Sequence, residues 1–467
     1  MDDSGVPRCA TALAVGLAVL LTANPQGFGA DASAPAAAHA APDEFDTLAS
    51  GIHQAVTGLK YSDQVAQDFV DMMRDWHLVD LKRELVQARE GNQQGRFSKA
   101  QTAQREERVV RKLGLKIRDH VGCSQGQFEL ADVVRNQTAD CLGFAQVLYV
   151  LGNSLGLSVK AIHVTQLTGV TVDLPAGASH VACLVNLADG TTMMVDIATA
   201  GPALVSQPFR LQEAFDESGD YLELKGEIAV SGLHRRLRVL EKNGLIACVY
   251  DNRGNEHNQR GRYAQAIAAL NAAIELDSKG VGAYNNRGIA RHRLGKVGEA
   301  IADYTVAVEL DPKYGEAYYN RGNVHGTLGD FPEAIADYTR AIELNQKYTW
   351  AYANRGNAYF HQARYREAIS DHSKAVELDP NFAEAYSNRG NVYKSLGKYQ
   401  EAIADHTKAI ELNPGYAGFY LNRAIASGRL GRTNQTQQDL RKAVELDPDL
   451  KPRVRELARH FRLNLGL

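Results

Sequence analysis

The sequence predicts a mainly α-helical chain, with a solenoid of six helix-turn-helix repeats over residues 250–453 and a small α+β domain over 122–205 ahead of it. Three observations carry this. Tyr250, Tyr284, Tyr318, Tyr352, Tyr386 and Tyr420 recur every 34 residues, each followed by Asn two and Arg three positions on. A repeat at that period is the mark of stacked supersecondary units that share one continuous core. Upstream, residues 158–197 read as β-branched, alternating runs punctuated by Gly156, Gly169, Gly177 and Gly190, the pattern of short antiparallel strands.

Taken in order, the first 32 residues read as a signal peptide. Arg8 precedes an apolar run from Ala10 to Ala23, too short to span a bilayer, and small residues follow as Gly27-Phe28-Gly29 or Ala30-Asp31-Ala32. Export to the periplasm or the medium is therefore expected, with no transmembrane segment in the mature chain. Residues 33–42 form an Ala/Pro-rich linker. A helical segment over 43–121 follows, in which Phe69, Met72, Met73 and Trp76 recur at three- and four-residue steps. Within 122–205, a helix from Cys141 to Leu155 leads into strands at Ser158–Thr165, Thr168–Leu174, His180–Leu187 and Thr192–Ile197. Residues 206–230 read as an irregular connection within 206–249, and a lead-in helix is expected from about Leu233 to Asn243.

Composition narrows the function classes. The chain has 467 residues, 44% hydrophobic and 23% charged, within the range of soluble globular proteins, and a net charge of −3 gives no basic footprint for nucleic acid. The five cysteines lack the paired short spacings of zinc sites, and no phosphate loop or His-Glu-x-x-His helix is present, so neither cofactor nor metal is expected.

In the repeats, Gly254, Gly288, Gly322, Gly356 and Gly390 mark a close approach of two helices, with Ala266, Ala300, Ala334, Ala368 and Ala402 as small partners. Ala273, Ala307, Ala341, Ala375, Ala409 and Ala443 let consecutive repeats nest, and Pro312, Pro380, Pro414 and Pro448 stop second helices. The pattern resembles the tetratricopeptide repeat (TPR) family, apart from an Arg where an apolar residue usually precedes the glycine. A polar segment at 454–467 is expected to cap the stack. Asp303, Asp337, Asp371, Asp405 and Asp439 recur on the second helices, so the Arg ladder is expected to pair with them, leaving Arg253 opposite Ala269 without a partner. The first helices of such a stack line its concave side. Asn252, Asn286, Asn320, Asn354, Asn388 and Asn422 fall there, and a row of carboxamides suits the backbone of an extended peptide or protein partner.

A second constellation lies upstream. Cys141 opens a helix, where the dipole and free amides stabilise a thiolate; His180 opens one strand and Asp196 ends the next. Nucleophile, base and orienting carboxylate are the parts of a thiol acyl-transfer site. A two-residue turn at Asp189-Gly190 would put His180 and Asp196 on opposite faces. A three-residue loop, Ala188-Asp189-Gly190, pairs Ala182 with Asp196 and makes His180 its diagonal neighbour, and Gly190 suits the left-handed end of such a loop. Cys183 then faces away. The Cys141 helix with its Leu155-Gly156-Leu157 exit, Ser179-His180-Val181, and Asp189-Gly190 before Val195-Asp196 resemble the transglutaminase-like, papain-related superfamily. That resemblance implies attack of Cys141 on an amide carbonyl and a thioester released to water or an amine. The family's usual aromatic residue after the histidine is here Val181, and Asn136 or Gln137 would have to serve as oxyanion donor. The alternative is a scaffold whose papain-like domain is catalytically silent.

Overall fold

The computed structural model describes residues 42–123, 129–167, 180–196, 206–225 and 234–465. The expected signal peptide, the expected linker up to Ala41 and the strand expected at Thr168–Leu174 lie outside them. The chain divides into two compact units, one ending at Asn286 and the other running from Arg287.

The first unit opens with α1 (Pro42–Gly58), α2 (Asp63–Met72), a 3-10 turn (Arg74–Trp76), α3 (Leu78–Gln93) and α4 (Lys99–His120). Ser62 caps α2 by accepting from Val65 N, and Ser98 with Gln101 forms a capping box at α4, so both helices start where the sequence supplies a hydroxyl. Phe69, Met73 and Trp76 are buried, as their spacing predicts.

Two short strands, β1 (Gly122–Cys123) and β2 (Thr138–Ala139), pair in parallel and flank α5 (Leu130–Asn136). Next come α6 (Cys141–Leu155), β3 (Ser158–Leu167), β4 (His180–Asn186), β5 (Thr192–Val195), α7 (Leu211–Ala214), β6 (Phe215–Ser218), β7 (Tyr221–Leu224) and β8 (His234–Leu240). They form one antiparallel sheet in the order β5-β4-β3-β8-β7-β6. Val181, Cys183 and Val185 share a core with α6, while Ala182 and Leu184 pack on the other face with Phe215 and Leu237. Both faces of β4 are covered, hence its nearly continuous apolar run.

Two expectations are corrected here. The helix predicted from Leu233 to Asn243 is strand β8, with a new helix starting at Lys242. The residues alternate with period two: Leu237 and Val239 pack into the second core, while Arg236 pairs with Glu223 and Arg238 with Asp277. The supposedly irregular stretch 206–230 holds α7 and the β6–β7 hairpin, whose Gly219-Asp220 turn places Gly219 at φ +62°.

The first repeat belongs to this unit. In α8 (Lys242–Gln259), Leu245, Ile246, Cys248 and Val249 join the core that holds α6; α9 (Tyr263–Leu276) follows, and α10 (Val281–Arg293) runs across the boundary. Arg253 is not left alone. Its guanidinium donates to Glu129 Oε1, just ahead of α5, at 2.6 and 2.9 Å.

The second unit continues with α11 (Val297–Leu310), α12 (Gly315–Leu328), α13 (Phe331–Leu344), α14 (Thr349–His361), α15 (Tyr365–Leu378), α16 (Ala383–Ser395), α17 (Tyr399–Leu412), α18 (Ala417–Arg429), α19 (Thr433–Leu446) and α20 (Lys451–His460). The first helices α12, α14, α16 and α18 also touch one another in sequence. A Cβ on Gly288 would lie 2.7 Å from the Tyr304 ring and one on Gly356 2.9 Å from the His372 ring, so the glycines make room for a large ring on the second helix. The Arg–Asp ladder forms as expected. Arg321, Arg355, Arg389 and Arg423 each make two bonds of 2.7–2.9 Å to Asp337, Asp371, Asp405 and Asp439, and Arg287 meets Asp303. Each of those four also donates to a hydroxyl on the preceding second helix, at Thr305, Thr339, Ser373 or Thr407. The cap is α20, whose Val454, Leu457 and Ala458 cover Ala424 and Leu440.

Removing one partner of a buried pair strands the other charge. Asp371→Ala should therefore destabilise the protein by about 3 kcal/mol, and adding Arg355→Leu should recover most of that, measured by urea denaturation followed by circular dichroism. The ladder is accompanied by two buried neutral histidines. Burial, with a smaller push from Arg389, lowers His372 to about 4; burial with Lys394 and Arg423 lowers His406 to about 3. Between about pH 6.5 and 4 the unfolded chain binds these protons and the folded chain does not. Stability should thus fall with falling pH in that window, by about 1.4 kcal/mol per pH unit for each histidine. His372→Tyr with His406→Tyr, the residue present at Tyr304 and Tyr338, should flatten that slope in unfolding curves taken across the window.

Candidate functional site

Helix α6 begins at Cys141 because Asp140 caps it: the carboxylate accepts from Leu142 N at 3.0 Å and Gly143 N at 3.1 Å. It ends at Gly156, left-handed at φ +100°. Cys141 is half-buried and its thiol is not in a disulfide. Burial raises the pKa of Asp140, against the opposing effect of its two amide bonds and of His180.

The β4–β5 hairpin carries the other two residues. Cys183 pairs with Val195 and Asn186 with Thr192; Leu187 N donates to Thr191 O at 2.8 Å, leaving Ala188, Asp189 and Gly190 as a three-residue loop with Gly190 at φ +84°. This is the register the diagonal arrangement requires. It sets Asp196 opposite Ala182 and next to His180, whose Nε2 lies 2.7 Å from Asp196 Oδ2. Burial alone would lower the His180 pKa. The charge and hydrogen bond of Asp196, and a hydrogen bond and charge interaction with Cys141, outweigh burial and raise it well above the usual value. The imidazole of His180 thus engages both the Cys141 thiol and the Asp196 carboxylate.

Cys183 is fully buried, with Sγ donating to Ala145 O at 3.6 Å, and burial raises its pKa. Cys248 is buried too, its thiol pushed up to about 12. Neither is placed to act as a nucleophile.

The helices of residues 42–120 hold this arrangement, a role the sequence did not reveal. Glu106, 1% exposed, accepts from Ala188 N in the hairpin loop at 2.7 Å and from Arg89 Nε at 2.8 Å; Arg89 Nη1 donates to Gly156 O at the end of α6. Tyr61 OH donates to Gln146 Oε1 on α6 and accepts from Leu130 N. One signal was present: Glu106 lies three, four and seven residues before Val109, Val110 and Leu113, on the buried stripe of α4.

The carboxamide row is less uniform than its period. Asn286 is fully buried and donates to Asp251 Oδ1 at 2.8 Å, so it presents nothing to a groove. Asn252 is half-buried, with Oδ1 enclosed and unbonded. In the second unit, Asn320, Asn354, Asn388 and Asn422 are half-buried on successive first helices. Asn354 Nδ2 donates to Asn323 Oδ1 at 2.9 Å and Tyr319 OH at 3.2 Å, and Asn422 Oδ1 accepts from Lys394 Nζ at 3.0 Å. Beside them an open depression of about 540 Å³ is lined by Asn323, Tyr338, Asn354, Asn357 and the stacked rings of Phe331 and His361. Among the described residues no cluster of three or more His, Cys, Asp or Glu side chains is placed to hold a metal ion.

Models of the tetratricopeptide repeat match residues 315–348, 337–370, 383–416 and 417–450, and a TPR repeat model matches 254–295, 290–329 and 356–397. Residues 254–450 are therefore TPR repeats. No curated protein matches the chain. Among solved structures, MamA is 28% identical, covering 34% of this chain and 94% of MamA at a TM-score of 0.33. YrrB, described as a TPR protein with an unusual peptide-binding site, is 25% identical, covering 39% of this chain and 93% of YrrB at a TM-score of 0.35. Pseudomonas aeruginosa pilF is 16% identical, covering 44% of this chain and 95% of pilF at a TM-score of 0.41.

The exposure and contacts of the cysteines set an order of reactivity. In the native protein, iodoacetamide should label Cys141 at least about tenfold faster than Cys183 or Cys248, and His180→Ala should remove most of that advantage, as read by peptide mass spectrometry.

Proposed function

We propose that this chain is an exported protein that docks a polypeptide along its TPR repeats and acts on an amide through Cys141, His180 and Asp196, as a transglutaminase-like hydrolase or acyltransferase. The observation that supports it most is the meeting of the Cys141 thiol, at the start of α6, with His180 and Asp196 on a hairpin whose register is held by a buried glutamate.

In this reading His180 takes the thiol proton as the Cys141 sulfur attacks the amide carbonyl. His180 then gives that proton to the departing amine, and the acyl group stays on sulfur as a thioester. Water or a second amine attacks the thioester, losing a proton to His180, and the thiol is restored as the acid or a new amide leaves. Asp196 holds the ring orientation and stabilises the imidazolium. The docking half rests on the row of half-buried carboxamides and the adjoining depression, which offer donors and acceptors to a peptide backbone whatever its side chains.

One observation favours a silent domain that only binds: Asp140 already engages the amides of Leu142 and Gly143 and adds a carboxylate beside Cys141. Turnover decides between the two. With dimethylcasein as substrate, release of ammonia is expected from the wild-type protein in either mode, and incorporation of a fluorescent amine in the acyltransferase mode. Cys141→Ala should abolish either, and Asp196→Asn should cut the rate by about 10²- to 10⁴-fold. Wild-type protein no faster than Cys141→Ala in both assays would establish the silent reading.

A further inference from the structure

The stretch just ahead of Cys141 is short and closed at its base. Helix α5 ends at Asn136, Gln137 turns left-handed at φ +53°, and β2 leads straight into Asp140 and Cys141. Backbone closes the base: Gly122 N donates to Gln137 O at 2.8 Å, and Thr138 and Ala139 lie opposite Gly122 and Cys123. Leu130 and Val133 on α5 are fully buried in the core that holds α6. With base and core contacts set, what holds the other end, at Glu129 and Leu130, fixes the chain's approach to Cys141.

Two groups hold that end. Tyr61 OH accepts from Leu130 N at 3.0 Å and donates to Gln146 Oε1, on α6, at 2.7 Å. Arg253, on the first helix of the first repeat, donates twice to Glu129 Oε1, at 2.6 and 2.9 Å. Burial opposes the guanidinium charge, but the hydrogen bond and charge of Glu129 outweigh it and raise the Arg253 pKa. The later repeats pair this arginine with an aspartate of their own second helix. In the first repeat that position is Ala269, so nothing inside the repeat calls for a cation. The arginine is nevertheless present, and the carboxylate it meets belongs to the stretch that delivers Cys141. Its helix, α8, packs in one core with α6 through Leu245, Ile246, Cys248 and Val249.

We propose that Arg253 is a positioning residue for the Cys141–His180 pair: by holding Glu129 it fixes α5 and the start of α6, so the first repeat is part of the site. This rests on the reading of Cys141 and His180 as a reacting pair, and labelling of the thiol tests it without turnover. In the wild-type background, His180→Ala should slow iodoacetamide labelling of Cys141 about tenfold. In the Arg253→Leu background the same change should matter less than about twofold, because thiol and imidazole no longer meet. Glu129→Gln should act in the same direction, and combining it with Arg253→Leu should add nothing. Arg253→Lys should restore most of the His180 effect. Arg423→Leu, which removes the rung of the sixth repeat, should lower the melting temperature and leave Cys141 labelling as in the wild type. In dimethylcasein turnover, Arg253→Leu should lower kcat and leave KM within about twofold. An undiminished His180 effect in folded Arg253→Leu and Glu129→Gln, or an equal loss in Arg423→Leu, overturns the positioning role. A raised KM with unchanged labelling also overturns it, and makes Arg253 a contact for the docked polypeptide. If Arg253→Leu does not fold, Glu129→Gln decides. The expected labelling pattern in a wild type without turnover overturns the enzyme reading and leaves the positioning role standing, whereas no His180 effect in the wild type overturns both.

Discussion

A guanidinium enclosed between two helices has to meet a carboxylate, because leaving the charge unpaired costs more than any packing gained by putting it there. That constraint organises the repeats. Each of the second to sixth carries Arg on its first helix and Asp on its second, and four of the arginines also reach a hydroxyl on the preceding second helix. The same side chain therefore closes a repeat and registers it against its neighbour. In the first repeat the aspartate position is Ala269, and Arg253 turns to Glu129, bringing the rung to bear on the segment just ahead of α5.

A related economy governs the Cys141 site. The hairpin that carries His180 and Asp196 works in one register only, since a shift of one residue sends every side chain to the opposite face. Three features hold that register: Gly190 in the left-handed region, the apolar cover on both faces of β4, and Glu106 clasping Ala188 at the loop. Glu106 is itself held by Arg89, which reaches the end of the helix that begins with Cys141. The helices before the sheet thus brace the Cys141 helix and the hairpin of His180 and Asp196 together.

The period, the small-residue contacts, the Arg–Asp ladder and the hairpin register could all be read from the sequence, because each depends on residues at fixed short spacings. What escaped was set by distant partners. Strand β8 looked helical because Arg235, Arg236 and Arg238 hide its alternation; Arg236 and Arg238 are tolerated on the inner side only because Glu223 and Asp277 meet them. Arg253 looked unpaired because its partner lies 124 residues upstream. Asn286 kept the period of its row yet is buried by Asp251, a residue found at that position in the first repeat alone, where the later ones carry Asn285, Tyr319, Ala353, Ser387 and Leu421. Periodicity identifies which positions are equivalent in backbone; it does not say what each side chain meets.

Two carboxylates close to Cys141 act in opposite senses, and their balance is the physical question at the site. Asp196 draws a proton toward His180, favouring an imidazolium beside the sulfur. Asp140, at the helix start, occupies two of the amides that would otherwise face an incoming negative charge, and sets its own charge nearby. Burial raises the Asp140 pKa, so its charge is lost more easily than that of an exposed aspartate as the medium turns acidic. Loss of that charge would weaken both amide bonds and return the helix N-terminus to the service of the sulfur. The surroundings of Cys141 are therefore set by the cap as much as by His180 and Asp196.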